Sequence, residues 1–249
     1  MSAPDSDSPA YSIAPVFGAP LLLAEGKERL LIASDLHLGL EHELWLGGVS
    51  IPSQTRTILA LLKGYLDMIM PDRLLILGDL KHNVPKTSWQ EKREVPDFLR
   101  QLSAQVRVDI VSGNHDSNLA DMAPLGVRVH PSTGIVREGR GYFHGHTWPE
   151  EKVVRSGFMV AAHLHPAVRL KDPLGNFQTH PVWARAPIQT EVVEEHYGFA
   201  SSGRSSSCLP SILFVEDWPS MSRQRICVVP SWRWPIWSTH ASICWMGPI

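Results

Sequence analysis

Cysteine is nearly absent from this chain. The 249 residues contain three cysteines, Cys208, Cys227 and Cys244, so the first two hundred residues have none. This excludes a disulfide framework or a thiolate zinc site from most of the chain, because both need several cysteines close together. We expect a reducing, cytoplasmic setting.

Long apolar runs and strong net charge are also missing. No stretch reaches the roughly 18 uninterrupted apolar residues that span a bilayer, so we expect no membrane association. The first ten residues are rich in Ser, Pro and Asp and lack the basic and apolar segments of a secretion signal. We expect a disordered tail over residues 1–12. The formal net charge is −2, without runs of Lys or Arg, and gives no sign of a dedicated nucleic-acid binder.

What the first half does contain is an alternation of apolar runs and helical periodicity. Short apolar runs at 30–34, 73–77 and 106–111 predict strands that are buried on both faces. Apolar residues at helical spacing predict a helix after Ser53 that ends at Pro71, and a second helix over 89–105. This alternation indicates βαβ units and a core of parallel strands.

The second half has a different pattern, with short strand candidates between residues 127 and 182 that are separated by turns. It predicts a second, partly antiparallel sheet. Two such sheets face to face, with helices outside, make the predicted fold class an α/β four-layer αββα sandwich of two mixed sheets. We place this domain at residues 13–203.

Five short motifs of polar side chains follow one another along the chain. They are D-x-H at Asp35 and His37, G-D at Asp79, G-N-H-D at 113–116 (which includes Asn114), H-G at His144, and H-x-H at His163 and His165. Each has an ordinary explanation by itself, since an aspartate after a strand often caps a turn and H-x-H places two side chains on one strand face. Asp35, Asp79 and Asn114, however, each follow a predicted strand, where α/β sheets bind ligands.

These residue types suit a pair of metal ions. Two divalent cations about 3.5–4 Å apart need a ligand that touches both, and a carboxylate can do so; Asp79 is the candidate. Imidazole and carboxylate ligands suit Mn, Fe, Co or Zn. We expect two manganese ions, with Fe, Co, Ni or Zn as alternatives. Such a pair lowers the pKa of a bridging water and so predicts a hydroxide nucleophile for phosphoester hydrolysis.

The ordered motifs resemble the calcineurin-like metallophosphoesterase superfamily. The resemblance implies that Asp35, His37 and His165 bind the first metal and that Asp79 bridges the two. It implies that the second metal is bound by Asn114, His144 and His163.

His115 and Asp116 complete the G-N-H-D motif. The resemblance implies that His115 is the general acid for the leaving oxygen and that Asp116 orients it. The alternative is that His115 is another ligand or a packed histidine.

Three longer segments narrow the resemblance. Residues 78–82, 144–150 and 163–170 are similar to the archaeal and bacterial ICC-like phosphoesterases, some of which are described as ligase-associated nucleases. This pattern adds His82, His146 and Arg169 as candidate contacts to substrate phosphate, with structural hydrogen bonding as an equal alternative. His42 and the remaining histidines receive no role.

Two features depart from the superfamily pattern. Ala162 stands where a glycine usually precedes H-x-H, at some cost if that position needs a positive φ.

From about Gly203 the chain is rich in Trp, Cys, Ser, Arg and Pro without periodicity, so 204–249 is an atypical tail. A permitted back-translation of 206–221 reads, in the adjacent frame, Leu-Ile-Val-Pro-Ala-Phe-Asn-Pro-Leu-Cys-Gly-Gly-Leu-Ala-Val-Asn, which resembles the expected family segment. We hypothesise a frameshifted reading, which the nucleotide sequence decides; a genuine Trp-rich lid is the alternative.

The sequence therefore predicts a phosphodiesterase that acts on a phosphoester substrate such as DNA or a nucleotide. It leaves three alternatives open: a phosphomonoesterase, a metal-stabilised partner-binding domain without turnover, and a nucleic-acid-binding module, although the core lacks a basic stripe. It identifies no protein partner.

Overall fold

A computed structural model describes residues 11–156, 158–186, 188 and 190–199, together with three short strands at 211–213, 226–228 and 242–243. The predicted disordered tail lies outside these residues up to Ala10, and Ser12 begins the first strand. Most of the atypical segment 204–249 also lies outside them. No helix in the described part is long and apolar enough to cross a membrane.

The first sheet has six strands in chain order: β1 (Ser12–Pro15), β2 (Leu22–Glu25), β3 (Arg29–Ala33), β4 (Arg73–Leu77), β5 (Arg107–Val111) and β6 (Arg128–His130). β1, β2 and β3 are antiparallel, whereas β3 to β6 are parallel. The predicted parallel core is thus confirmed. β6 was expected in the second sheet, but it extends the first because it pairs with β5.

Three helices connect these strands: α1 (Leu40–Leu46), α2 (Thr55–Ile69) and α3 (Trp89–Ser103). α2 begins after Gln54 and not after Ser53 as predicted, because Glu41 accepts the hydrogen bond from the Gln54 N–H at 2.7 Å. α3 begins with a capping box in which Ser88 and Glu91 satisfy each other's backbone N–H groups.

The second sheet is mixed: its two central pairs are parallel and the outer pairs are antiparallel. Its order is β15 (Ser242–Ile243), β12 (Ala184–Ala186), β13 (Ser211–Leu213), β9 (Met159–Ala161), β8 (Arg140–Phe143) and β7 (Ile135–Arg137). A small third sheet contains β11 (Phe177–Pro181), β10 (Ala167–Lys171) and β14 (Ile226–Val228). The remaining helices are α4 (Glu151–Arg155), α5 (Thr190–Tyr197) and a 3-10 turn at Leu119–Asp121.

Three apolar cores separate the layers. In the first, Leu62 of α2 and Phe98 of α3 pack on Ile76 of the first sheet. In the second, side chains from the other face of that sheet, such as Leu75, meet Tyr142 of the second sheet. In the third, one residue each from β8, β9, α4 and α5 pack together: Phe143, Met159, Val153 and Val193. Helices, sheet, sheet and helices make the predicted four-layer sandwich, which is confirmed.

A buried charge cluster joins the two sheets. Asp109 of β5 is fully buried and contacts Arg73 of β4 at 3.0 Å and Arg137 of β7. Glu28 accepts a second hydrogen bond from Arg73 at 2.9 Å. Burial alone would raise the pKa of Asp109, but contact with His130 and the two guanidinium groups lowers it. The cluster therefore fixes the second sheet against the first through a charged carboxylate.

We predict that Asp109→Ala lowers the free energy of unfolding by about 3 kcal/mol, because it removes the fully buried counter-ion of Arg73 and leaves only the partly exposed Glu28. Asp97→Ala is the matched control, since Asp97 pairs with Arg100 on the exposed side of α3 and should cost less than about 0.5 kcal/mol. Urea unfolding of both variants measures the difference, and equal costs would contradict the assignment.

Candidate metal centre

The predicted ligands meet at one edge of the two sheets. Asp35 and Asp79 follow β3 and β4, and Asn114 follows β5. From the second sheet, His144 follows β8, and His163 and His165 follow β9. The parallel pairing of β3 with β4, β4 with β5, and β8 with β9 brings residues distant in sequence to the same edge.

Three groups of three residues have donor atoms within 4.8 Å of one another in the described part of the chain. One is made of His37, His82 and His115, and the other two, the first and second groups, consist of predicted ligands alone. The first contains Asp35, His37 and His165, and the second contains Asp79, His144 and His163. These are the groupings that the resemblance implied for the two metals, with Asp79 now in the second group. The structure thus brings together six of the seven predicted ligands in this way.

Asn114, the seventh, lies beside the second group. Its side-chain oxygen is 3.2 Å from Nε2 of His144.

Asp79 stands between the two groups. Its Oδ2 is 3.3 Å from Nε2 of His144 and 3.8 Å from Nε2 of His37. Its Oδ1 accepts a hydrogen bond from the backbone N–H of His115 at 2.9 Å. One carboxylate oxygen therefore faces a histidine from each group, which is the position that a bridging ligand needs.

The backbone at the site has an unusual conformation. Five of the predicted ligands have positive φ angles between 41° and 67°: Asp35, His37, Asp79, His163 and His165. L-residues adopt this left-handed region at a cost, and such residues concentrate at functional sites. Ala162 is not among the positive-φ residues, so the expected cost of replacing a glycine there does not arise.

Asp35 indicates that the site is built for cations. The residue is 1% exposed, and neither of its carboxylate oxygens has a hydrogen-bond partner in the described part of the chain. Burial raises the pKa of Asp35, and the nearby His144 and His165 oppose this shift. A buried carboxylate without hydrogen bonds is costly unless a cation compensates it. A divalent ion held by the first group would supply that charge.

Two of the predicted histidine ligands, His37 and His163, are set up as neutral ligands. Burial lowers the pKa of His37 to about 4, and burial with the neighbouring His144 lowers that of His163 to about 4. Only an unprotonated imidazole binds a metal, so both rings are ready to bind at neutral pH.

Asp79 and His144 shift each other's pKa. Burial disfavours charge on both, but their mutual contact prevails, so that the pKa of Asp79 lies below its ordinary value and that of His144 lies above. Nδ1 of His144 donates to the carbonyl of Leu77 at 2.8 Å, which leaves Nε2 facing the site.

His82 lies between His37 and Glu43. Its Nδ1 is 3.1 Å from Nδ1 of His37, and its Nε2 is 2.7 Å from Oε2 of Glu43. Since Glu43 accepts, His82 carries its proton on Nε2 and receives the Nδ1–H of His37, which leaves Nε2 of His37 for a metal. Both ring nitrogens of His82 are occupied, which favours the structural alternative over contact with substrate.

The other two candidate phosphate contacts differ in position. The ring of His146 is 5.3 Å from that of His144, and its Nδ1 is buried without a hydrogen-bond partner in the described chain. It therefore borders the site. Arg169 is exposed on β10, where its guanidinium lies 4.0 Å from the ring of Phe177, and no described hydrogen bond or ion pair joins it to a predicted ligand.

Asp116 does not orient His115 as predicted. Its carboxylate accepts from the backbone N–H groups of Gly113 at 2.8 Å and Lys81 at 3.2 Å, because the tight turn after β5 points it back toward them. Nδ1 of His115 instead contacts the carbonyl of His82. Asp116 thus holds the turn that carries His115, and burial raises its pKa.

Sequence reasoning missed Lys81. The side chain is fully buried, and Nζ donates to the carbonyl of Asn83 at 2.6 Å. It therefore secures the backbone that carries His82. Its position between Asp79 and His82 in the 78–82 motif was the available signal.

Two glycines leave room for the ligands. A Cβ at Gly78 would lie 2.2 Å from Nδ1 of His144, and one at Gly113 would lie 2.1 Å from Oδ1 of Asp79. The G-D and G-N motifs are thus explained by close packing of backbone against ligand.

The comparison with known protein families agrees with this geometry. A family model described as calcineurin-like phosphoesterase matches residues 28–240. The chain belongs to the calcineurin-like phosphoesterase family. It is therefore a hydrolase of phosphoester bonds, and the family implies divalent metal ions.

Two solved structures are similar to this phosphoesterase. One is nuclease MPE of Pseudomonas putida, with 20% identity, 88% of this chain and 96% of that chain covered, and a TM-score of 0.48. The other is YfcE, a phosphoesterase from E. coli, with 20% identity, 61% and 81% covered, and a TM-score of 0.37. No curated protein sequence matches the chain.

We predict that Gly113→Ala loses bound metal, because the added methyl group displaces the Asp79 carboxylate. Gly64→Ala is the control: Gly64 lies in the exposed middle of α2 with nothing within 4 Å of the added atom, and alanine there should stabilise the fold by about 1 kcal/mol. Elemental analysis after manganese loading, with urea unfolding, measures both. Wild-type metal content in Gly113→Ala would contradict the prediction.

Proposed function

We propose that this phosphoesterase is a phosphodiesterase that uses two divalent cations, manganese first among them, and His115 as general acid. The observation that carries the proposal is the fixed orientation of the His115 ring beside the metal centre. Its backbone N–H binds Asp79, and its ring centroid is 4.9 Å from that of His37.

The orientation of His115 determines which nitrogen can act. The carbonyl of His82 can only accept, so Nδ1 of His115 must carry a hydrogen. In the protonated ring the transferable proton is therefore on Nε2. His115 would hold that proton and deliver it to the leaving oxygen, as a general acid does.

The residues around the acid have separate tasks. The first and second groups, with Asn114, would hold the cations, which when bound supply Lewis acidity toward phosphoryl oxygens and lower the pKa of water. Glu43 and His82 keep His37 in its binding tautomer. Asp116 and Lys81 hold the two turns that position His115 and His82.

The charge of the site favours diesters over monoesters. A monoester carries a second negative charge and is commonly held by arginine or lysine. Lys81 is buried and donates to the carbonyl of Asn83, and the guanidinium of Arg169 lies against the ring of Phe177. In the described chain, neither cation is therefore placed to bind a substrate phosphate at the metal centre. Asn114 and the side chain of His165 are also exposed, which leaves the centre open to a long substrate such as DNA or a nucleotide. The cytoplasmic setting stays a prediction.

Hydrolysis of bis(p-nitrophenyl) phosphate and of p-nitrophenyl phosphate by the manganese-loaded protein tests the proposal. We expect kcat/KM to be at least about tenfold higher for the diester, because no Lys or Arg of the described residues is placed to bind the second charge of a monoester. A preference for the monoester would support the phosphomonoesterase alternative. Hydrolysis of neither ester would support the partner-binding alternative.

The assigned roles predict different losses in two variants. Asp79→Ala should lose metal and activity together. His115→Ala should keep its metal and slow turnover by about 10²–10⁴-fold, the usual contribution of a general acid. Metal analysis and single-turnover rates distinguish them, and wild-type turnover in His115→Ala would remove the acid role.

A further inference from the structure

We propose that Trp45, His42 and Trp89 form an aromatic platform on which a base of a single-stranded nucleic-acid substrate stacks beside the metal centre. The proposal rests on the diesterase function proposed above and adds the class of substrate and the residues that recognise it. None of the three residues belongs to the motifs that carry the chemistry.

The three rings form one contiguous surface. The ring of His42 stacks on that of Trp45 at 6.0 Å between centroids and 21° between planes, and it meets the edge of Trp89 at 6.4 Å and 86°. Trp45 is 60% exposed and Trp89 is 62% exposed. Two neighbouring indoles that keep most of their area in water leave stacking surface for a ligand.

The aromatic platform is attached to the wall of the metal centre. α1, which carries His42 and Trp45, begins three residues after His37, and its Glu43 contacts His82 at 2.7 Å. Trp89 is the first residue of α3, and Glu91 in the first turn of α3 accepts from the backbone N–H of His82 at 3.0 Å. A substrate whose phosphate lies at the metals would therefore extend its neighbouring nucleotides toward this platform.

The charges near the platform suit stacking without strong phosphate binding. The guanidinium of Arg93 lies 5.2 Å from the ring of Trp89, but its NH2 is also 3.1 Å from Glu94, so its charge is partly neutralised. Glu43 is engaged by His82 and does not stand free against the substrate. Stacking accepts any base, because every base has a π-face.

A second copy of the chain is the competing occupant of this surface. The residues that follow α1 expose further apolar side chains, with Val49 52% and Ile51 41% exposed. The nucleobase is favoured because the faces of the platform itself are aromatic rings with an arginine over one of them, which is the composition of single-strand binding sites. Self-association enters the experiment as a separate outcome.

The experiment compares a single-stranded DNA oligonucleotide with the same oligonucleotide that carries abasic residues on both sides of one phosphate. Manganese-loaded wild type, Trp45→Ala, Trp89→Ala and Phe17→Ala are assayed for kcat/KM, and for binding by fluorescence anisotropy of the labelled strand. Phe17 is the matched control, as a 63% exposed aromatic in the turn between β1 and β2. Sedimentation of each variant reports self-association.

We expect wild type and Phe17→Ala to bind and cleave the base-bearing strand about 5- to 100-fold better than the abasic strand, the range for loss of one stacked base. In Trp45→Ala and Trp89→Ala this ratio should fall toward one. Equal binding of both strands by wild type would overturn the platform. An unchanged ratio of base-bearing to abasic strand in the tryptophan variants would also overturn it, and an altered sedimentation of those variants would then assign the surface to self-association. Binding that discriminates the strands without cleavage of either would support the platform and reject the diesterase.

Discussion

The structure depends on the placement of one carboxylate, that of Asp79, at the end of a fully buried strand. β4 lies in the middle of the parallel sheet, so the backbone that presents Asp79 cannot shift without disturbing the strands on either side. Both of its oxygens face the site: one lies toward His37 and His144, and the other accepts the hydrogen bond from the N–H of His115. The cation site and the candidate acid therefore have a common reference point.

This arrangement explains why two sheets are needed. The first sheet supplies acidic and amide oxygens from its strand ends, whereas the second supplies His144, His163 and His165. The distance between the two sets is fixed by the core between the sheets and by the ion cluster around Asp109. The stability of the sandwich and the geometry of the metal centre are thus aspects of the same packing.

Much of this could be predicted from the sequence, because strand ends in parallel sheets converge. The buried runs before Asp35, Asp79 and Asn114 gave strand positions within a residue, and hence the edge at which the ligands lie. The partner of Asp116 could not be predicted, since adjacency in the G-N-H-D motif suggested His115 whereas the turn directs the carboxylate to backbone N–H groups. The assignment of β6 failed for a related reason: a three-residue strand carries no record of which sheet it joins.

The role of His82 shows what distinguishes a ligand from its support. Its sequence context, next to a metal-binding motif, is compatible with either task, and only the occupancy of its two ring nitrogens decides between them. The same reasoning applies to the aromatic platform, whose members gave no motif because exposure, and not residue type, sets them apart from core tryptophans such as the buried Trp183. A chemical centre can thus be read from residue spacing, whereas the surfaces that select its substrate depend on which side chains the fold leaves uncovered.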